Sequence, residues 1–360
     1  MNKLFVVGGM IALVAAVGCV NPPGVGLFFP RSVDVEDWNH PAIDAEAGQN
    51  GIDEGWQYRE VDGPICANGT PVGMGVEVGE SPFDLVIYVN GGGACWDAMG
   101  CSYFQTAANL STTYDAAQLG RELYPLTRAG LFDRQARTNP WPQASYVFIP
   151  YCTGDMHVGR RITNYGGFSS RDEIHHVGAF NLERYLEEIP ELFPRARRIW
   201  LVGISAGGYG ITWNFDAFQQ AFPDKELHVL TDAAPWLPVE EERRQAWAAS
   251  WDLVAPVGCE KCVTAPEDLP TFLAQKYPRT RFALTLFAKD PVLSAYLGVL
   301  PSGMEASIDR HVADRYTQPN IRVFLAQGAD HEVLLHLDRE LRSRDGERLS
   351  EFVRHWATGW

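Results

Sequence analysis

Six short apolar runs, separated by stretches with helical spacing, constrain the fold of this chain more than any other feature. The runs are rich in β-branched and aromatic residues and cover residues 83–90, 145–150, 197–203, 226–232, 281–288 and 321–327. Strands that are buried on both faces of a parallel sheet have this near-continuous apolar character. Helical patterns lie between the runs, at 177–193, 205–222 and 239–254. The alternation predicts an α/β fold with a doubly wound, mostly parallel sheet and helices on both faces.

The chain has 360 residues and is long enough for one large α/β domain. Residues 20–55 are rich in Pro, Gly and Asp, and we expect them to form a tether and an extended lead-in. A single domain is expected at 56–360, with helical cover at its end, over 335–360.

The first 19 residues, MNKLFVVGGMIALVAAVGC, have the pattern of an export signal. One lysine precedes an apolar run that is short for a spanning helix, which needs about 20 residues. Small residues before Cys19 resemble a bacterial lipobox, so we expect acylation of Cys19 and an exported protein that is anchored to the cell envelope only through this lipid. The alternative is an ordinary signal peptide, cleaved nearby, and a secreted protein.

The charge of the chain excludes one class of partner. There are 45 acidic and 30 basic residues, which gives a formal net charge of -15. A field of this sign repels polyanions, so we expect no binding to nucleic acid.

Six cysteines remain once Cys19 is set aside, and an even number in an exported chain suggests three disulfides. The shortest loops would be closed by pairing Cys95 with Cys101 and Cys259 with Cys262, which would leave Cys66 and Cys152, although other pairings are possible. The CEKC stretch at 259–262 is also compatible with a redox or metal half-site. A structural zinc site needs four ligands and no second CxxC occurs, so no metal is expected.

Ser205 is the candidate nucleophile. It lies in LVGISAGG, directly after a predicted strand and at the start of a predicted helix, and the segment fits G-x-S-x-G. In this motif a sharp turn lifts the serine hydroxyl clear of the sheet, and small neighbours let the turn close. Glycine-rich turns also bind phosphate or serve only packing, but the chain has neither GxGxxG nor GK[ST] at this point.

A serine needs a base and an acid that orients the base. His331 follows the strand at 321–327 and Asp290 follows the strand at 281–288, in the order serine, acid, histidine that is typical of α/β-hydrolases. Asp232 also ends a strand and is the strongest competing acid. Asp330 is expected to face water. The other histidines considered as the base, His311 and His336, are expected at the surface.

The stretch YVNGGGACWD at 88–97 is the candidate oxyanion loop. Glycines let backbone amides approach a ligand closely, and a glycine loop after an early strand supplies half of the oxyanion hole in esterases. We expect the amides of Gly92, Gly93 and Ala206 to be the donors. Nearby aromatics, namely Trp96, Tyr103, Phe104, Tyr209 and Trp236, are for the most part expected in the core.

These motifs resemble the pectin acetylesterase (Notum-like) family of the α/β-hydrolase superfamily, over most of the chain from about residue 65 to 334. CANGTPVG resembles its cysteine-led segment, VNGGGACWDAMGC its glycine loop, YCTGDMHVG its P-Y-C segment and GISAGGYGITWNFD its nucleophile elbow. Two positions differ, because the aromatic residue after the glycines is displaced to Trp96 and Asn90 replaces a glutamate.

The resemblance implies an α/β-hydrolase catalytic domain at 56–360, a serine carboxylesterase that uses Ser205, Asp290 and His331, and no cofactor. It also supports the Cys66–Cys152 and Cys95–Cys101 disulfides. Because the chain is acidic, polyanionic pectin is a poor substrate unless Arg160, Arg161 and Arg171 gather at the cleft, and a neutral acetylated carbohydrate or a small or lipid ester fits better. The alternatives are a non-catalytic surface-binding protein on the same fold and a hydrolase of amides or polyesters.

Overall fold

Eight of the ten strands form one sheet in the computed structural model, which describes residues 55–128, 131–166 and 173–359. In chain order the strands are β1 (Trp56–Arg59), β2 (Met74–Glu77), β3 (Asp84–Val89), β4 (Ser145–Ile149), β5 (Arg161–Asn164), β6 (Glu173–His176), β7 (Arg198–Ile204), β8 (Glu226–Asp232), β9 (Phe282–Phe287) and β10 (Ile321–Ala326). The predicted export signal and nearly all of the lead-in lie outside the described residues.

The strand order in the large sheet is β1-β2-β4-β3-β7-β8-β9-β10. The six strands from β4 to β10 are parallel, whereas β2 is antiparallel to β4 and β1 is antiparallel to β2. Strands β5 and β6 form a separate hairpin. The prediction of a doubly wound, mostly parallel sheet is confirmed, and its six parallel strands coincide with the six apolar runs.

Helices cover both faces of this sheet. They are α1 (Ala116–Arg128), α2 (Gly178–Leu192), α3 (Ala206–Trp213), α4 (Phe215–Ala221), α5 (Glu241–Trp251), α6 (Leu269–Lys276), α7 (Pro291–Leu297), α8 (Pro301–Arg315) and α9 (Leu349–Thr358). Short turns of 3-10 helix occur at Glu260–Val263, Pro266–Asp268 and Leu334–His336, and a π-helical turn at Met99–Phe104. Among the described residues, no helix is both long and apolar enough to cross a bilayer.

Alternation along the strands explains why their sequences are apolar at nearly every position. In β3, Leu85 and Ile87 belong to the core on one face of the sheet, together with residues of α2 and α4. Val86 and Tyr88 belong to the core on the other face, which α1 and α9 close. Because successive side chains of a strand point to opposite faces, burial on both sides requires apolar residues throughout.

Two helical predictions differ from the structure in detail. The helix expected over 205–222 is divided into α3 and α4 at Asn214, whose side-chain amide donates to the carbonyls of Gly210 and His157. An asparagine side chain that binds backbone groups competes with the regular helix. The helical cover expected over 335–360 consists mainly of α9 in its last part.

Three disulfides join Cys66 with Cys152, Cys95 with Cys101, and Cys259 with Cys262. The first connects two loops that are 86 residues apart in sequence, and the second closes a short loop directly after the glycines at 91–93. Disulfides of this number are typical of proteins that fold in an oxidising compartment, which indicates an exported protein.

Candidate active site

Ser205 occupies a strained turn between β7 and α3. Its backbone angles are φ 51° and ψ −121°, a region that residues other than glycine rarely adopt. The turn requires small neighbours, because a Cβ atom on Gly207 would lie 1.9 Å from the carbonyl oxygen of Val89 and one on Gly203 would lie 2.7 Å from the Gly207 backbone. The sequence therefore folds here into a sharp strand-to-helix turn, the geometry that is typical of a nucleophile elbow.

His331 and Asp290 are brought together from the loops that follow β10 and β9. The ring nitrogen Nδ1 of His331 donates to the Asp290 carboxylate over 2.7 Å. The other carboxylate oxygen accepts the amide of Leu293 at 2.8 Å, so Asp290 also caps the start of α7. Asp290 is fully buried and His331 is nearly so. This bond fixes the imidazole with Nδ1 protonated, which leaves Nε2 free to accept a proton.

The environment of His331 shifts its proton affinity upward. Burial by itself would lower the pKa of this imidazole, but the adjacent Asp290 carboxylate outweighs that effect and raises the pKa to about 9. The arrangement thus stabilises the imidazolium that forms when the ring takes up a proton.

Asp232, the competing acid, has a different set of partners. Its carboxylate accepts the amides of Val333 and Leu334 at 3.1 and 2.8 Å, and the hydroxyl of Thr285 at 2.8 Å. Burial raises its pKa to about 7. Asp232 therefore holds the chain just after His331, while Asp290 contacts the imidazole itself.

The other two histidine candidates have different surroundings. His336 contacts Asp330, with 2.9 Å between Nε2 and Oδ2. The expected surface position is wrong for His311, which is buried in α8, where burial lowers its pKa to about 4.

The glycine loop after β3 packs directly against the elbow. A Cβ atom on Gly91 would lie 3.1 Å from the Ser205 Cβ and 3.2 Å from the Ala206 amide nitrogen. Gly92 and Gly93 have φ values of 149° and 78°. Ala206 is the first residue of α3, so its amide has no intrahelical acceptor. The three amides expected to bind an oxyanion thus belong to two adjoining segments beside the serine.

A small apolar pocket opens at Ser205. Besides the elbow and the glycine loop, its walls include Trp96, Tyr209, Trp236, Trp247, Leu293 and Leu297. The expectation that most of the nearby aromatics fill the core is confirmed for Trp236, which is buried in the core and also forms a pocket wall. Trp96 and Tyr209 instead line the pocket from partly buried positions, and Tyr103 and Phe104 are exposed. The shape and chemistry suit an uncharged group that enters beside the serine hydroxyl.

Sequence reasoning missed Tyr296 on α7, which joins the two sides of the pocket. Its hydroxyl accepts the amide of Ala94 at 3.1 Å and donates to the carbonyl of Thr106. Its position six residues after Asp290, at the same edge of the sheet, is the only sequence signal for it.

One group of described residues brings together three side chains that can bind a metal, namely Cys95, Cys101 and His176. Both cysteine sulfurs of this group are joined in a disulfide.

The chain is similar to known carboxylesterases. The chain is 26% identical to the human palmitoleoyl-protein carboxylesterase Notum over 247 residues, which cover 60% of the chain and 46% of that protein. It is 27% identical to the Drosophila melanogaster enzyme of the same name over 218 residues, 54% of the chain and 31% of the relative. The chain thus spans less than half the length of these curated relatives.

Two crystal structures of the Wnt deacylase Notum from Drosophila have the same fold. One matches with a TM-score of 0.60 at 18% identity and covers 85% of this chain and 95% of the other. The second has a TM-score of 0.58 at 17% identity and covers 84% and 93%. The fold is therefore a Notum-like α/β-hydrolase fold.

A family model described as pectinacetylesterase matches residues 57–265, which include the glycine loop, the elbow and all three disulfides. With more than half of its length matched, the chain belongs to the pectinacetylesterase family of esterases.

Proposed function

We propose that this protein is an exported serine carboxylesterase that hydrolyses a neutral ester. The observation that carries the proposal is the Asp290–His331 pair, at 2.7 Å, at the same edge of the sheet as a strained elbow serine that opens into an apolar pocket. Family membership supports ester hydrolysis, since the matching relatives are named carboxylesterases.

In the proposed reaction, the Ser205 hydroxyl attacks the ester carbonyl while His331 Nε2 takes its proton. The amides of Gly92, Gly93 and Ala206 hold the negative oxygen of the tetrahedral intermediate, and Asp290 stabilises the imidazolium. The intermediate collapses to an acyl-enzyme as the alcohol leaves with the proton from His331. Water, deprotonated by the same imidazole, then releases the acid and restores the serine.

The pocket favours an apolar acyl group. Three tryptophans and several aliphatic side chains form its walls, and the hydroxyls of Tyr209 and Tyr296 are already bonded to backbone carbonyls. We therefore propose an ester whose acyl chain is longer than acetyl, with an acetylated carbohydrate as the alternative.

A polyanionic substrate fits poorly. The chain carries a formal charge of -15, and Arg160, one of the three arginines that could offset this charge if they gathered at the cleft, pairs with Glu183 at 2.5 Å. Arg161 donates to the carbonyl of Ala249, and Arg171 lies outside the described residues. This charge distribution argues against pectin itself.

We further propose that lipid on Cys19 anchors the protein to the cell envelope, with the segment after it as a tether. Cys19 lies outside the described residues, so this proposal rests on the lipobox pattern. A Cys19→Ala variant is expected to leave the membrane fraction, and its retention there would contradict the anchor.

The test of the function is hydrolysis of p-nitrophenyl esters from acetyl to long acyl chains, by protein that begins after Cys19. Turnover is expected to peak above acetyl and to be absent in Ser205→Ala, whose unfolding temperature should stay close to that of the parent. Full activity in Ser205→Ala would refute the serine mechanism. No turnover by folded, disulfide-bonded parent protein would favour a non-catalytic binding protein.

A further inference from the structure

We infer that Glu122 is a positioning residue that sets the direction of the oxyanion donors, an inference that rests on the proposed function. Glu122 lies on α1, away from the pocket, and its carboxylate accepts four side-chain hydrogen bonds. Oε2 binds Asn90 Nδ2 at 2.9 Å and the Tyr114 hydroxyl at 2.6 Å. Oε1 binds Asn109 Nδ2 at 2.8 Å and Gln118 Nε2 at 3.2 Å.

Two of these four partners connect the Glu122 carboxylate to the glycine loop. Asn90 directly precedes Gly91, and its carbonyl accepts from His157 Nε2 at 2.9 Å. Asn109 directly follows Ala108, whose amide donates to the carbonyl of Gly92 at 2.7 Å. The carboxylate of Glu122 therefore links Asn90, just before the glycines, to Asn109, whose neighbour Ala108 is bonded to Gly92.

The segment of Ala108 and Asn109 determines where the Gly93 amide points. The peptide between Gly92 and Gly93 is planar and trans, so its N–H points away from its C=O. Because the C=O is bonded to Ala108, the N–H faces the opposite side, and Gly93 lines the pocket at Ser205. A shift of Asn109 and Ala108 would rotate this peptide and turn the donor away from the oxyanion.

A carboxylate suits this role better than an amide. All four partners are donors, and an ionised carboxylate offers about four acceptor positions and no donor. Desolvation raises the pKa of Glu122, whereas the hydrogen bonds from Tyr114, Asn109, Gln118 and Asn90 favour its ionised form. In Glu122→Gln, the side-chain NH₂ would face two of these donors and displace Asn90 or Asn109.

The test compares Glu122→Gln with Glu77→Gln, a matched control. Glu77 is a mostly buried carboxylate on β2 that pairs with Arg134 at 2.7 Å and has no contact with the loop. We expect Glu122→Gln to lower kcat by about 10- to 100-fold with KM within about twofold of the parent value. We expect Glu77→Gln to keep kcat even where its unfolding temperature falls.

An inhibitor that mimics the tetrahedral intermediate distinguishes a change in the position of the oxyanion donors from a general loss of order in the fold. A trifluoromethyl ketone adds to a serine and places an oxyanion in the hole, so its affinity reports on the donors. Its affinity should fall in Glu122→Gln by the same factor as kcat/KM. If Glu122→Gln bound the ketone as tightly as the parent protein, or had the same kcat, the inference would be overturned.

Asn90→Ser provides a second variant, because it removes one donor to Glu122 and keeps the carboxylate. We expect Asn90→Ser to lower kcat and the affinity for the ketone less than Glu122→Gln does. If Glu122→Gln does not fold, an unchanged kcat in Asn90→Ser overturns the inference. Failure of the proposed function is distinct, since Ser205→Ala would then retain activity in the same assay.

Discussion

The amide of Ser205 donates a hydrogen bond of 2.7 Å to the carbonyl oxygen of Asp232. The carboxylate of Asp232 in turn accepts the amides of Val333 and Leu334. One residue at the end of β8 thus contacts both the elbow and the loop of His331. This explains how a serine and a histidine that are 126 residues apart (331 − 205) are held at one edge of the sheet.

The first prediction concerns Asp232→Asn. An amide side chain would turn its NH₂ toward one of the two loop amides, and an unsatisfied buried N–H costs about 1–3 kcal/mol. At pH 8 we expect urea unfolding to show a loss in this range. We also expect kcat to fall by about tenfold, because His331 is less well held. A variant with parent stability and parent kcat would contradict this role.

The second prediction is the pH dependence of kcat/KM. Only neutral His331 can accept the serine proton, and its pKa is raised to about 9. We therefore expect kcat/KM of a non-ionising ester to rise through the neutral range and to level off above about pH 9.

The folded chain also binds this proton more tightly than the unfolded chain, whose histidine has a pKa near 6.5. His331 therefore contributes stability in full below that pH, and this contribution is lost as pH rises to about 9.

The Asp290→Asn variant tests the cause of this shift. Without the carboxylate, burial dominates, so the pKa of His331 should fall and the rise in kcat/KM should move to lower pH. Loss of the acid from such a triad costs about 10⁴-fold in kcat. An unmoved pH profile in Asp290→Asn would show that Asp290 does not set the pKa of the base.

The third prediction compares two short disulfides. The Cys95–Cys101 bridge follows Gly93 and Ala94 directly, whereas Cys259–Cys262 lies in a 3-10 turn away from the elbow. Replacing either pair by serines should lower stability by about 2 kcal/mol. Only the first pair of substitutions should also lower kcat. Equal kcat in the two variants would show that the bridge does not support the oxyanion loop.

The fourth prediction concerns the acyl pocket. Leu297 lines the pocket at the end of α7, and a tryptophan there would fill part of it. Leu297→Trp should reduce kcat/KM for long acyl esters by at least about tenfold and should spare acetyl esters. An equal effect on all chain lengths would place the acyl group elsewhere.

The sequence predicted the six parallel strands and the residues at their ends well, because a strand that is buried on both faces appears in the sequence as a continuous apolar run. Asp290 and His331 were identifiable for the same reason, since each follows such a run. Strands β1 and β2 were missed. They lie at one edge of the sheet, are only four residues long and have no long apolar run.

Other features depend on contacts between distant segments and had no local signal. His311 looks like a surface residue within a polar helix, yet α8 buries it. Glu122 resembles any acidic residue on an amphipathic helix until α1 is placed beside Asn90 and Asn109. An aromatic residue looks the same in the sequence whether it lines a pocket or fills the core, so only the packing in the structure distinguishes these two positions.

The most direct test of the central claim is intact-protein mass spectrometry after reaction with a fluorophosphonate, which labels activated serines. The account predicts one adduct per chain, mapped to Ser205 and absent from Ser205→Ala, with labelling greatly slowed in His331→Ala. No adduct on the folded parent protein, or an undiminished adduct on Ser205→Ala, would contradict the assignment of Ser205 as the nucleophile.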